Sequence, residues 1–462
     1  MSSFTNPALS CSFRRNALWL AMLAAPLAHG EPVALDPIQV TSDRLGQGDS
    51  TVDDTSLQRY QADDLEDIFS DVPGVSVGGA APSAQKIYVR GLEDTLLNVT
   101  VDGAAQSGYL FHHQGRLMVE PELLKRVDVG AGAGAATNGP GALGGSIRFV
   151  TKDPEDLLRP GEDFGALAKA GYFSNTEGYK VSTSLFGRMT DNWSAMATLA
   201  QTDHGDYEDG DGETQPHTES QMLTGFAKVV GQLTEEQKLA VSYERSEEEA
   251  FRKHRPHWAP SVRNPVFDQE MVRETTTGKY RFDSLDNELL DLELTIYDTD
   301  ASLEHIDGPY GTYLGALDSY GADLRNTSAL GSHTLTWGVD HRHDKGSLNS
   351  DEETGHVTGV YLQDEFQATS RLMLSGGFRY DWFELEEETQ DQDFSESGLS
   401  PNLGFSFDAA DRLNLYGGWA RAVRGTQVKE LFVLDYYQNA ADREEETADN
   451  YEIGAVYRQG NL

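Results

Sequence analysis

VDGAAQSGYLFHHQGRLMVEPELLKRVDVGAGAGAATNGPGALGGSIRFVTKD, residues 101–153, is the stretch on which the reading of this chain turns. It begins as a short strand that reverses at Asp102-Gly103, a dipeptide suited to a tight hairpin turn. A loop with two adjacent histidines follows, then a helix–strand pair over 121–129 and a glycine-rich span. Residues 139–144 match GxGxxG, yet a dinucleotide site needs that loop to open a helix. Here residues 146–151 alternate as a strand, so the glycines serve backbone geometry rather than a pyrophosphate. Nearby, residues 74–78 match GxSxG, but helical residues precede the serine and strand residues accompany it. That order is the reverse of a nucleophile elbow. No HExxH occurs.

Upstream lies a processing segment. Arg14 and Arg15 precede an apolar run over 17–27, too short to span a bilayer, and Ala28-His29-Gly30 suits a cut before Glu31. Residues 1–30 are thus expected to be a signal peptide. The single cysteine falls within it, which leaves the mature chain without disulfides or thiolate ligands. The net charge is −40, with 76 acidic against 36 basic residues, and it excludes nucleic acid as a partner. Residues 31–52 form a polar linker and residues 53–155 a compact α/β unit.

From residue 160 to 462 the pattern changes to short alternating segments, such as 167–173, 179–186, 193–199, 238–243, 290–296, 333–339, 372–378 and 413–419. Period-two runs at this spacing signal an all-β sandwich or barrel. Short connections (190–192, 233–236, 284–287, 409–411) alternate with long ones (203–221, 249–275, 301–312, 345–355, 387–398, 424–449). Outer-membrane barrels have short periplasmic turns and long extracellular loops, whereas a sandwich gives no reason for the alternation. About 14 strands are expected, against about 22 in transporters with plugged lumens. The expectation is an incomplete antiparallel barrel, truncated at its C-terminal side.

Several ordered motifs give this organisation a family. Residues 63–69, 72–77, 87–91, 98–102, 126–129 and 141–152 resemble the plug motifs of TonB-dependent outer-membrane receptors. Residues 419–432 and 450–454 resemble the barrel motifs of that family. The resemblance implies a mainly β transmembrane barrel with an N-terminal α/β plug, located in the outer membrane and not an enzyme. Asp36, Pro37, Ile38, Gln39, Val40 and Thr41 resemble a TonB box, a segment that adds as a strand to a TonB-type periplasmic energy-coupling protein. The implied cargo is an iron complex, with no cofactor of the protein's own because the iron travels inside the ligand.

Two clusters are candidate ligand contacts. In the plug loop, Tyr109, His112, His113 and Arg116 offer donors to a ferric complex or an axial ligand to haem. In the loop at 251–258, Arg252, His254, Arg255, His257 and Trp258 make a basic, aromatic island in an acidic chain, suited to an anionic cargo. The competing reading pairs these charges with Glu247, Glu248 and Glu249. Haem receptors of the family often carry a histidine between the two barrel motifs; this chain has none between Gly425 and Asp449. A ferric siderophore is therefore expected ahead of haem or a haemoprotein, with a non-functional fragment or an adhesion barrel as the readings from another class. The acidic run Asp206, Glu208, Asp209, Asp211, Glu213 departs from the EF-hand order at Thr214 and reads as a solvated loop rather than a calcium site.

Overall fold

The computed structural model describes residues 50–458 apart from 80–83, 260, 309–310 and 389–390. The expected signal peptide and TonB box lie outside the described residues.

The N-terminal unit is built on a five-stranded sheet in the order Ser50–Asp53, Leu124–Ala131, Gly145–Thr151, Asn98–Val101, Ala104–Ala105. Ser50–Asp53 pairs with Leu124–Ala131, so ordered structure reaches slightly further back than residue 53. Two short helices, Asp54–Tyr60 and Leu65–Phe69, start where the Asp53 and Asp64 carboxylates accept backbone N–H groups that the first turn leaves unpaired. Their apolar faces, with Leu57, Ile68 and Phe69, close over Val127, Ile147 and Phe149 of the sheet. Asp102 and Gly103 have φ of 49° and 86°. Left-handed values at both positions give the turn a twist that matches its flanking strands. The glycine-rich span leads into the strand Gly145–Thr151, as the sequence predicts.

The second unit is one sheet of 14 strands in sequence order, from Phe164–Phe173 at one edge to Glu446–Tyr457 at the other. Each strand is antiparallel to its neighbour, and side chains alternate. In Gly178–Thr190, Lys180, Ser182, Ser184 and Phe186 point inward and are buried, while Tyr179, Val181 and Leu185 face outward. The inward row meets the plug all along the sheet, at Lys180, Lys228, Arg273, Asp344, Gln363 and Glu452.

The strand number agrees with the sequence reading, but several expected loops do not exist as loops. Residues 301–308, 311–312 and 345–348 belong to strands, as do most of 249–275 and of 387–398. Gly311–Leu330 runs for 20 residues, where about 9–11 cross a bilayer. These strand ends stay in the ladder because their inward row, with Leu303, His305, Leu317 and Leu348, packs under the apical loops; the charged and polar residues between them read as a loop in the sequence. True long connections remain at 205–219, 254–265 and 425–445.

Candidate ligand site at the apex of the plug

The plug loop after Ala104–Ala105 meets the connections 254–265 and 425–445 at one place. The 425–445 segment folds down onto the plug: Leu431 and Phe432 donate backbone N–H groups to the carbonyls of Tyr109 and Leu110, at 3.0 and 3.2 Å. Phe111 forms the hub. Its ring centroid lies 5.2 Å from His112, 5.0 Å from His113, 4.9 Å from His254, 5.8 Å from His305 and 5.2 Å from Phe432. Trp258 stands 5.3 Å from His113 and carries the Arg255 guanidinium over its face at 5.0 Å.

His112 is the open member of this group. Its side chain is 47 % exposed, and Glu430 Oε1 takes both its backbone N–H (2.9 Å) and its Nδ1 (2.6 Å). With Glu430 accepting from Nδ1–H, the neutral ring carries its lone pair on Nε2, which hydrogen-bonds to no protein group among the described residues. Metal-ligating histidines are typically oriented and strengthened in this way.

His113 is buried and fully engaged. Arg255 Nε donates to His113 Nε2 at 3.0 Å, so the proton sits on Nδ1, which donates to His257 Nε2 at 3.1 Å. His257 Nδ1 then donates to the carbonyl of His113 at 3.2 Å. Burial, reinforced by the neighbouring His112, His257 and Arg255, pushes His113 down to about 3. His254 is pushed down to about 4 by burial and then by Arg255. His257 is lowered as well, chiefly by burial. The inner histidines are therefore neutral near pH 7.

The sequence-expected residues divide. His112, His113, His254, Arg255, His257 and Trp258 come together at the apex. Tyr109 lies just beneath: its hydroxyl donates to Glu93 at 2.8 Å and meets Lys86, whose Nζ also reaches the carbonyl of His112 at 2.7 Å. Burial and Glu93 hold the Tyr109 phenol well above its ordinary range. Two of the expected residues are engaged within the protein. Arg116 is 6 % exposed and spends its guanidinium on Asp94 and the carbonyl of Gln106. Arg252 is 1 % exposed and is held by Glu248 at 2.9 Å and Gln269 at 3.1 Å. For Arg252, pairing with the glutamate run is what occurs. Lys253 precedes the loop as the last residue of its strand and is buried too.

Phe111, His305, Glu430 and Phe432 were not singled out from the sequence. His305 is buried with its Nε2 unpartnered. Among the described residues no three His, Cys, Asp or Glu side chains converge to hold a bare metal ion. In the acidic loop, Asp209 accepts from the backbone of Asp211 and Glu213, both at 3.0 Å, and Asp206 accepts from that of Thr218 at 2.7 Å. Those carboxylates shape their own loop.

A plug folded on a five-stranded and a three-stranded sheet, packed against the inward face of a long antiparallel sheet, defines a class that comparison with known proteins identifies. The model of the TonB-dependent receptor plug domain matches residues 43–146, and that of the TonB-dependent receptor-like β-barrel matches 241–462. The chain belongs to the TonB-dependent receptors and is an outer-membrane β-barrel protein. It is 29 % identical over 409 residues to the heme transporter BhuA of Brucella ovis, covering 85 % of this chain and 61 % of that one. It is 26 % identical over 381 residues to the hemin receptor of Yersinia enterocolitica, covering 79 % and 55 %. The chain thus spans about three fifths of the length of these curated relatives. Among solved structures, the FrpB iron transporter of Neisseria meningitidis superposes with a TM-score of 0.83 at 23 % identity, covering 91 % of this chain and 71 % of that one. The Serratia marcescens hemophore receptor HasR, solved with its hemophore HasA and heme, gives 0.75 at 20 % identity, covering 90 % and 70 %.

Proposed function

We propose that this receptor takes up haem, with His112 as an axial ligand to the iron. The observation that carries the reading is the Glu430–His112 pair, which presents one free imidazole nitrogen over the buried Phe111, with the half-buried Phe432 and the exposed Trp258 nearby. Haem needs only an axial donor from the protein, because the porphyrin fills the other positions. Flat aromatic rings suit its faces, and Arg255 suits its propionates. The names of the relatives, a heme transporter and a hemin receptor, point the same way.

This reading reverses the order in which the sequence ranks the two cargoes. The absence of a histidine between Gly425 and Asp449 weighed against haem. That same segment instead supplies Glu430, which acts through His112. A ferric siderophore, bound by Arg255 and the neutral imidazoles, is the competing cargo.

The account includes energy coupling through Asp36, Pro37, Ile38, Gln39, Val40 and Thr41 to a TonB-type protein, followed by displacement of the plug. No bond in the cargo is made or broken, and the iron travels with it. The test is growth of an iron-starved host lacking other receptors. Haem as sole iron source should support growth, and deletion of 36–41 should abolish it. Growth on ferric siderophores but not on haem would overturn the proposal.

A further inference from the structure

Beneath the apex lies a cavity of ≈ 190 Å³, bounded by the plug, the strand His333–Leu348 and the 425–445 segment. Tyr109 and Glu430 belong to both spaces, so the cavity forms the floor of the apical site. Its volume falls below the roughly 300–1,000 Å³ of pockets that enclose a whole drug-sized ligand. It therefore suits one arm of a ligand. The lining is mostly polar and includes Asn98, Gln106, Ser107 and Gln427.

One side chain in it stands out. Arg342 faces inward from its strand and is 9 % exposed. Its Nε donates to Asp344 Oδ2 at 2.8 Å. Asp344 is itself fixed, because its Oδ1 accepts the hydroxyls of Ser107 and Ser319, each at 2.7 Å. The guanidinium plane is thus held in place, while Nη1 and Nη2 hydrogen-bond to no protein group among the described residues. The other arginine of the lining, Arg116, is spent on Asp94 and Gln106, and Glu430 is turned toward His112.

We propose that this cavity is a second binding site, in which the free edge of Arg342 receives a carboxylate-sized monoanion. A held fork of two N–H donors that open on the cavity matches a carboxylate in geometry, with Asp344 and Asp340 the anionic neighbours it competes with. The site's position fits a relay: cargo leaving the apex would lower an anionic arm into the cavity before the plug moves. That step rests on the haem reading, since haem carries two propionates; the anion site itself does not. The anion has two sources, an arm of the cargo or a free small anion.

The test has two arms, both on the full chain. Crystals soaked in bromide should show an anomalous peak within hydrogen-bond reach of the Arg342 Nη atoms, and R342Q should lose it. An empty cavity in the parent protein overturns the proposal whatever the cargo is. In cells, R342Q should slow haem uptake about tenfold, the worth of one charge-assisted contact, while leaving haem binding at the apex unchanged. Haem dimethyl ester, which lacks carboxylates, should enter R342Q and parent at equal rates. Equal slowing of haem and ester would remove the cargo's carboxylate as occupant. R342K keeps a cation beside Asp344, and so guards against misfolding; it lacks the second donor and should also slow haem alone. Failure of the parent to bind haem at all would count against the proposed function and not against the bromide site.

Discussion

At the apex, two neighbouring histidines face different partners. His112 turns Nδ1 to Glu430 and keeps Nε2 open, whereas His113 has both nitrogens engaged by Arg255 and His257. Glu430→Gln should weaken haem binding by about 10–100-fold, as removal of an outer-shell partner does at metal sites; a titration followed by absorbance reads this directly. The inner imidazoles also set a pH dependence. His113 and His254 sit at about 3 and about 4 in the folded apex, against about 6.5 in an unfolded chain. As pH falls from about 6.5 toward 3, the unfolded apex binds protons that the folded one refuses, so stability present above pH 6.5 is progressively lost. The urea concentration at which residues 254–258 lose protection from hydrogen exchange should fall across that window and stay constant above it. The histidine pair was legible in the sequence because two adjacent imidazoles are conspicuous. Glu430 was not, since it is separated from His112 by 318 residues and only the fold joins them.

Among the elements, the plug is tied to one side of the sheet by lysines that point inward. Lys228 on Ser220–Thr234 meets Asp153 at 2.9 Å and Asp102 at 3.3 Å, and Lys180 on Gly178–Thr190 meets Glu120 at 2.6 Å. Lys228–Asp102 and Lys180–Glu120 are buried, so removal of one partner strands a charge, at a cost of roughly 3–5 kcal/mol. Lys228→Met should let the plug loosen at a lower urea concentration than the parent, seen as earlier protease cleavage within 102–153. Mutation of Lys125, whose pair with Asp156 is about one third exposed, should shift that point less. Strand number was readable because lipid forces alternation on every crossing segment. Strand length was not: the inward row of Gly311–Leu330, at Leu317 and Ser319, is covered by loops distant in sequence, and only the fold shows what buries it. The surroundings of Arg116 and Arg252 were illegible for a related reason. Arginine in a loop-like context suggests ligand capture, yet burial beside Asp94 and Glu248 makes each an internal brace.

For the whole molecule, plug, sheet and lumen form the frame on which the cargo site depends. The plug motifs and the change to period two at its end made that frame visible, because each reflects a constraint on backbone geometry or on contact with lipid. Cargo identity was less visible, since three separate connections build the apex. The central claim is that His112, backed by Glu430, ligates haem iron. The most direct test is a spectral titration of haem into the purified chain and into His112→Ala and His113→Ala. The account predicts a shifted Soret band in the parent, its loss in His112→Ala, and its retention with weaker binding in His113→Ala. An unshifted band in the parent, or a shift that survives His112→Ala, would contradict it.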